Sequence, residues 1–303
     1  MPINGKRPSI ALVTVLYNGM ENFPEFFKSL INQSESNLHL YLIDNSPEPD
    51  VMRQALELAM PLPFPVTSHR NQENRGAAEG NNQGIRMALE AGHDYILLLN
   101  NDLVFPPETI QTLLSHAEQR EESIWVPKFY YAGTNRLWYA GGRMLHNRGI
   151  NSHRGATHED DGQYDWMEHV EYAPTTFMLL KSEVFRHVGL LDEAYFAYFE
   201  DTDFVMRARR KGHEICYCPD AVVHHKVSST TGGKQSDFSL YYLNRNRVYF
   251  IRKQYRGYAK WRAFLGAARE RYRWYRTADP HERSKARKAW SDGFRMRIPH
   301  RLS

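Results

Sequence analysis

The chain has 303 residues, 42% of them hydrophobic and 24% charged, with 39 Lys and Arg against 35 Asp and Glu, the make-up of a globular protein large enough to bury a core. This excludes a disordered or repetitive chain, and no apolar run reaches the ~18–20 residues of a membrane-spanning helix. The opening MPINGKRPS has no apolar stretch behind a basic segment and does not read as a secretory leader.

In chain order, Ile10–Leu16 is a short aliphatic run that predicts a strand, and residues 21–33 place Phe23, Phe26, Phe27, Leu30 and Ile31 at helical spacing. Residues 38–43 read as a second strand, 51–60 as a helix halted by Pro61, Pro63 and Pro65, and 66–69 as a third strand. Residues 76–91 are helical with Gly92 as the stop, and Tyr95–Leu99 is a buried strand ending in Asn100, Asn101 and Asp102. Alternating strands and helices predict a parallel sheet covered on both faces.

Residues 143–169, polar and rich in Gly, His and Asp, read as connecting structure over a site. Beyond them 170–180 is strand-like, 183–188 a short helix, 202–211 a helix closed by Gly212, and 214–218 and 221–225 further strands. Cys216 and Cys218 share one face as buried or half-buried thiols. Two cysteines alone are a weak metal motif, and they fit a reducing compartment. Residues 240–254 are amphipathic and open a tail in which positions 251–303 carry sixteen Lys and Arg against four Asp and Glu. Interleaved with Tyr258, Trp261, Phe264, Tyr272, Trp274 and Tyr275, this tail suits an anionic membrane surface or nucleic acid. A solvated helical hairpin with an aromatic inner face is the plainer alternative.

Open parallel sheets bind ligands beyond the carboxyl ends of their strands. Tyr17-Asn18, Asp44-Asn45-Ser46 and Asn100-Asn101-Asp102 each follow such an end. A carboxylate held there suits Mg2+ or Mn2+, which take few protein carboxylates when a diphosphate completes the shell; an Asx turn before Pro106-Pro107 would explain the triplet as well. Glu200-Asp201-Thr202-Asp203 opens a helix ending in Arg209, Arg210 and Lys211, as the helix dipole alone would favour. Crowded carboxylates there would also raise one pKa and create a general base. His224-His225 ends a strand, where an imidazole could join Asp102 on a metal. Gly76, Gly80 and Gly84 leave a bare stripe on one helix, either for packing on a strand or for a nucleotide against Asn74-Arg75-Gly76. The dinucleotide fingerprint is absent, since only Gly19 follows the first strand.

Eight segments in order carry a resemblance: TVLYN at 14–18, IDNS at 43–46, ENRGAAEGNNQGI at 73–85, LLLNND at 97–102, YAGG at 139–142, GLLDEAYFAYFEDTDFVMRARRKGH at 189–213, PDAVVHH at 219–225 and YYLNRNRVYFIRK at 241–253. Together they resemble family 2 glycosyltransferases, especially bacterial rhamnosyltransferase-like members. The resemblance implies a GT-A (Rossmann-like) α/β fold, a mostly parallel sheet flanked by helices, with a basic helical C-terminal extension. A catalytic domain over 1–240, with a nucleotide half to about 120 and an acceptor half beyond, would precede a membrane-associating region over 241–303.

By position, the resemblance implies that Asp44 meets a pyrimidine base, Thr14, Tyr17 and Asn18 line it, and Asn74, Arg75 and Gly76 lie near the nucleotide. Asn101 and Glu200 would contact substrate, Asp102 and His225 would hold the divalent cation, and Asp201 would be the catalytic base. The implied reaction is inverting transfer of a sugar from a dTDP- or UDP-sugar to a lipid-linked surface glycan. Rhamnose is the first candidate, and UDP-linked glucose, galactose or galactofuranose the alternative. The expected location is the inner face of the cytoplasmic membrane, with nucleic acid as the rival partner of the tail. Thr175-Thr176 stands where many relatives have Gly-Ala, and Asn100-Asn101-Asp102 supplies one carboxylate where they have two.

Overall fold

The computed structural model describes residues 7–227 and 236–298. β1 (Ile10–Leu16) is buried almost throughout, as a central parallel strand must be when helices cover both faces. There follow α1 (Phe23–Ile31), β2 (Leu38–Asp44), α2 (Asp50–Ala59), β3 (Val66–Arg70), α3 (Gly76–Glu90), β4 (Tyr95–Leu99) and the two-residue β5 (Leu103–Val104). β4, β1, β2 and β3 are neighbours in that order and pair in parallel. α1 packs through Phe23, Phe26, Phe27 and Leu30, all buried, one face at helical spacing.

The second half runs α4 (Thr109–Gln119), β6 (Ile124–Tyr131), β7 (Leu137–Tyr139), β8 (Gly142–Leu145), β9 (Ile150–His153), β10 (Glu168–Val170), β11 (Phe177–Lys181), α5 (Ser182–Val188), α6 (Glu200–Arg210) and β12 (Ile215–His225). The sheet order is β10-β12-β6-β11-β4-β1-β2-β3, with β5 on β12 and β7 on β6. β11 is antiparallel to both β4 and β6 and so joins the parallel half to the mixed half. The polar ends of β1, β2 and β4 share one edge with the segment that enters β11, where the Asn100 amide donates to the Thr176 carbonyl.

Several expectations for this half are corrected. The single strand read over 170–180 is two strands, β10 and β11, which belong to different parts of the sheet. The two strands read over 214–218 and 221–225 are one, β12, with a register shift between Cys218 and Val222 where Pro219 cannot donate to the ladder. Residues 143–169 contain the antiparallel pair β8–β9 and most of β10. α4 and β6 have no counterpart in the sequence reading, although β6 is an inner strand of the sheet.

The C-terminal segment folds as α7 (Asp237–Gln254), α8 (Gly257–Tyr275) and α9 (Pro280–Arg295). Ser236 caps α7 by accepting from the Ser239 amide. Asp279 and Glu282 form a reciprocal capping box on α9, with Pro280 in the first turn. Val248, Tyr249, Phe250 and Ile251 of α7 are fully buried. Gly293 lets α9 lie on α7 so closely that a Cβ there would stand 2.4 Å from the Arg245 carbonyl oxygen. Among the described residues no helix is long and apolar enough to cross a membrane.

Candidate active site

The stripe on α3 has two explanations, one for each end. A Cβ at Gly84 would lie 2.4 Å from Val13, and one at Gly80 2.9 Å from Val15, so these two glycines serve helix-on-strand packing. Gly76 differs: its φ is +80°, and a Cβ would meet the Phe196 carbonyl oxygen at 2.4 Å. Its amide donates to Asn74 Oδ1 (2.9 Å), and its carbonyl accepts from Asn45 Nδ2 (2.9 Å). Arg75 pairs with Glu73 and Glu79 at an exposed position.

At the ends of β1 and β2, Thr14 and Asp44 are fully buried. Asp44 Oδ1 accepts from the Ser46 amide (2.8 Å). Its Oδ2 has no hydrogen bond, only the Arg70 guanidinium at 3.5 Å, and Thr14 Oγ1 has no partner either. Asn18, at φ 53°, donates its amide to Ser46 Oγ (2.9 Å), while the Tyr17 side chain is exposed. Buried polar atoms normally find partners, so two unpartnered ones at a strand end mark a place where a ligand can complete the bonding.

Beyond β4, Asp102 and His225 meet: Asp102 Oδ2 lies 3.2 Å from His225 Nε2. β12 pairs with β5 through His225 opposite Leu103, which delivers the imidazole to the carboxylate. Both residues are buried, and Asp102 Oδ1, His225 Nδ1 and Asn101 Nδ2 have no partner. A carboxylate and an imidazole in contact, each with a further atom that has no partner, are a donor set that suits a divalent cation. His224 points elsewhere and stacks on Tyr130. Cys216 and Cys218 are fully buried free thiols, which burial pushes up to about 12 and about 11. The donor atoms of Cys218, His116 and Asp220 lie within 4.8 Å of one another, at the bulge of β12 and away from the strand ends.

Glu200 and Asp201 form the first turn of α6. Burial, and then the charge of Asp201, push the Glu200 carboxyl up to about 8. Burial also raises Asp201, against hydrogen bonds that favour its ionised form. Those bonds come from Tyr172 Oη to Oδ2 (2.6 Å) and from the Thr202 amide and hydroxyl to Oδ1 (2.5 and 3.0 Å). An ionised carboxylate offers about four acceptor sites, so three filled leave one for a hydroxyl.

The two carboxylate centres are joined by aromatic rings. The Trp138 ring stands edge to face with His225 (4.4 Å) and with His153 (4.5 Å). His153 stacks on Tyr172 (5.7 Å), the donor to Asp201. Asn151 of β9 also reaches α6, donating to Thr202 Oγ1 (2.7 Å). Sequence reasoning missed Trp138, His153 and Tyr172. For His153 the one signal was that residues 143–169 cover a site; Trp138 and Tyr172 lie outside that stretch, and no local pattern tells which aromatic of a short strand or loop faces inward.

The family model for Glycosyl transferase family 2 matches residues 11–189. The low-salt glycan biosynthesis hexosyltransferase Agl10 of Haloferax volcanii is 29% identical over 189 residues, 57% of this chain and 56% of that protein. The dTDP-rhamnosyl transferase RfbF of Shigella flexneri is 26% identical over 189 residues, 60% of this chain and 62% of that protein. The chain therefore spans under two thirds of the length of these relatives. The crystal structure of GalNAc-T7 with UDP, GalNAc and Mn2+ superposes with a TM-score of 0.63 at 14% identity, over 82% of this chain and 48% of that one. That likeness is one of fold, and it is the GT-A fold. With a family match over more than half of its length, this chain belongs to glycosyl transferase family 2.

Proposed function

We propose that the protein is an inverting transferase with Asp201 as its base, moving a sugar from a pyrimidine nucleotide-diphosphate donor to a hydroxyl of a lipid-linked glycan. The observation that carries this reading is the carboxylate pair of buried Glu200 and half-buried Asp201, joined through Tyr172, His153 and Trp138 to the Asp102–His225 pair. Burial and the charge of Asp201 push Glu200 up to about 8, while the three donors to Asp201 favour its ionised form, which makes Asp201 the member of the pair suited to accept a proton.

In this reading the pyrimidine ring meets Asp44 Oδ2 and Thr14 Oγ1, with Tyr17 and Asn18 beside it. Asn74, Arg75 and Gly76 approach the nucleotide, and Asn101 and Glu200 border the sugar. Asp102 and His225 are the residues that would hold a divalent cation, Mg2+ or Mn2+, which when bound would neutralise charge on the departing diphosphate. Asp201 accepts the proton of the acceptor hydroxyl as that oxygen bonds to the anomeric carbon. The bond from that carbon to the diphosphate breaks, the electron pair leaves with the nucleoside diphosphate, and attack from the opposite face inverts the centre. Rhamnose from dTDP-rhamnose is the first candidate, in keeping with the similarity to the dTDP-rhamnosyl transferase RfbF; a UDP-linked hexose or galactofuranose is the alternative.

The two-part organisation, 1–240 for catalysis and 241–303 for membrane contact, belongs to the same proposal. α8 exposes Tyr258, Trp261 and Tyr272 together with Arg262, Arg269 and Arg273. Aromatic rings settle at the headgroup boundary, and each basic residue near an anionic surface adds about 1 kcal/mol. That face would hold the site near a lipid-linked acceptor on the cytoplasmic side.

A panel of dTDP- and UDP-sugars, with product anomers assigned by NMR, tests the chemistry. One donor turned over with inversion is the expected result, and retention would contradict the mechanism. Flotation with anionic liposomes at low salt tests the docking, which fails if the full chain stays with the unbound fraction.

A further inference from the structure

We propose that Asn246 of α7, locked by Arg245, is a positioning residue that sets the place of the catalytic pair; this rests on the reading of Asp201 as base. Residues 194–199 lead into α6 through three residues with positive φ: Phe196 (65°), Tyr198 (66°) and Phe199 (75°). Non-glycine residues persist there only where surroundings impose the conformation. The folded-back backbone aims the carbonyls of Tyr195, Ala197 and Tyr198 at one point. The fully buried Asn246 fills it, its Nδ2 lying 2.9, 2.7 and 2.8 Å from the three oxygens, which share its two hydrogens.

Two further contacts make this more than local packing. Arg245 Nε donates to Asn246 Oδ1 (2.8 Å), which fixes the amide with its NH2 toward the loop, and Arg245 Nη2 reaches the carbonyls of Ala194 and Tyr195 (2.9 and 2.7 Å). Seven residues on, two turns along α7, Lys253 and Gln254 bind the Asp203 carboxylate (2.9 and 2.6 Å). α7 thus grips α6 both before and after Asp201. The opposite side of the loop rests on α3, where the Phe196 carbonyl accepts from the Ala77 amide (2.6 Å) beside Gly76. Removing Asn246 releases the base side of the loop and leaves the nucleotide side anchored.

The test uses the full chain, the nucleotide sugar that the wild type turns over, and UDP or dTDP as binding probe. Asn246→Ala is expected to lower kcat on the order of 10²-fold, the effect of a displacement of about 1 Å, while the nucleotide Kd stays within about twofold of wild type, a change below ~0.5 kcal/mol. The acid limb of the kcat profile moves to lower pH, because water admitted to the pair relieves the burial that raises it. In an Asp201→Asn background the same substitution should cost little, since a residue acting through the base has nothing left to position.

Equal losses in both backgrounds, or an unchanged acid limb, would overturn the proposal. If Asn246→Ala does not fold, Arg245→Ala, which keeps the amide and loses its lock, is expected to give the same pattern at smaller size. Wild-type turnover by Asp201→Asn alone would overturn the base reading and this inference with it. Loss of turnover in Asp201→Asn with none in Asn246→Ala would overturn this inference only.

Discussion

The two halves of the site are built by different means. On the nucleotide side, Thr14 lies within β1, Asp44 ends β2 and Asp102 follows β4, and regular parallel pairing sets the positions of the first two. On the base side, Asp201 follows a loop with three left-handed residues, and its position depends on contacts from β9, the 171–176 segment and α7. A sheet edge is rigid by construction and suits a ligand held at several points. A carboxylate that must change protonation needs burial and individually placed donors, which irregular backbone provides.

The largest effect that sharpens this comparison is expected on the strand-end side. Asp102→Ala or His225→Ala should weaken cation-dependent binding of UDP or dTDP by more than the ~10–100-fold that loss of a mere supporting partner costs. Calorimetric titration with and without Mn2+ checks it, and unchanged affinity in both variants would remove the pair as ligands. Gly76→Ala joins the two sides, because the new methyl meets the Phe196 carbonyl at a φ that L residues avoid. A stability loss of ~1–3 kcal/mol and weaker nucleotide binding are expected, read by denaturant unfolding and titration; wild-type values would mean that the loop moves freely.

The smallest effect should come from Tyr172→Phe, which removes one hydrogen bond of ~1 kcal/mol and fills the same space. That bond favours ionised Asp201, so its loss raises the pair's apparent pKa and moves the acid limb of the rate profile to higher pH. The direction is opposite to that expected for Asn246→Ala. A limb that stays in place in Tyr172→Phe would separate Tyr172 from the chemistry.

This contrast also explains what was legible in the sequence. The period of Ile10–Leu16 and of Phe23, Phe26, Phe27 and Leu30 reports burial directly, so the parallel half and its strand-end residues could be read in order. Asp201 was recognised as part of a motif, but Tyr172, His153 and Trp138 were not. Their roles arise from pairings between residues 15 or more positions apart, as between Trp138 and His153 or Tyr172 and Asp201. The single strand expected over 170–180 hid Tyr172 for a related reason: reading the stretch as one strand ignored that its middle, 171–176, leaves the sheet at a Pro. Asn246 stood in plain view within YYLNRNRVYFIRK, yet only the convergence of three carbonyls gives it a task. The tail aromatics divided: Phe264 of α8 stacks on the partly exposed Phe294 of α9, while Tyr258, Trp261 and Tyr272 face outward.

The central claim is that Asp201 removes the acceptor proton while the strand-end residues hold the donor. The most direct measurement is the transfer rate of Asp201→Asn beside its nucleotide affinity, with the full chain and the donor that the wild type uses. A fall of ~10²–10⁴-fold in kcat with nucleotide Kd unchanged is the predicted result. Near-wild-type turnover, or a loss explained wholly by weaker nucleotide binding, would contradict the account.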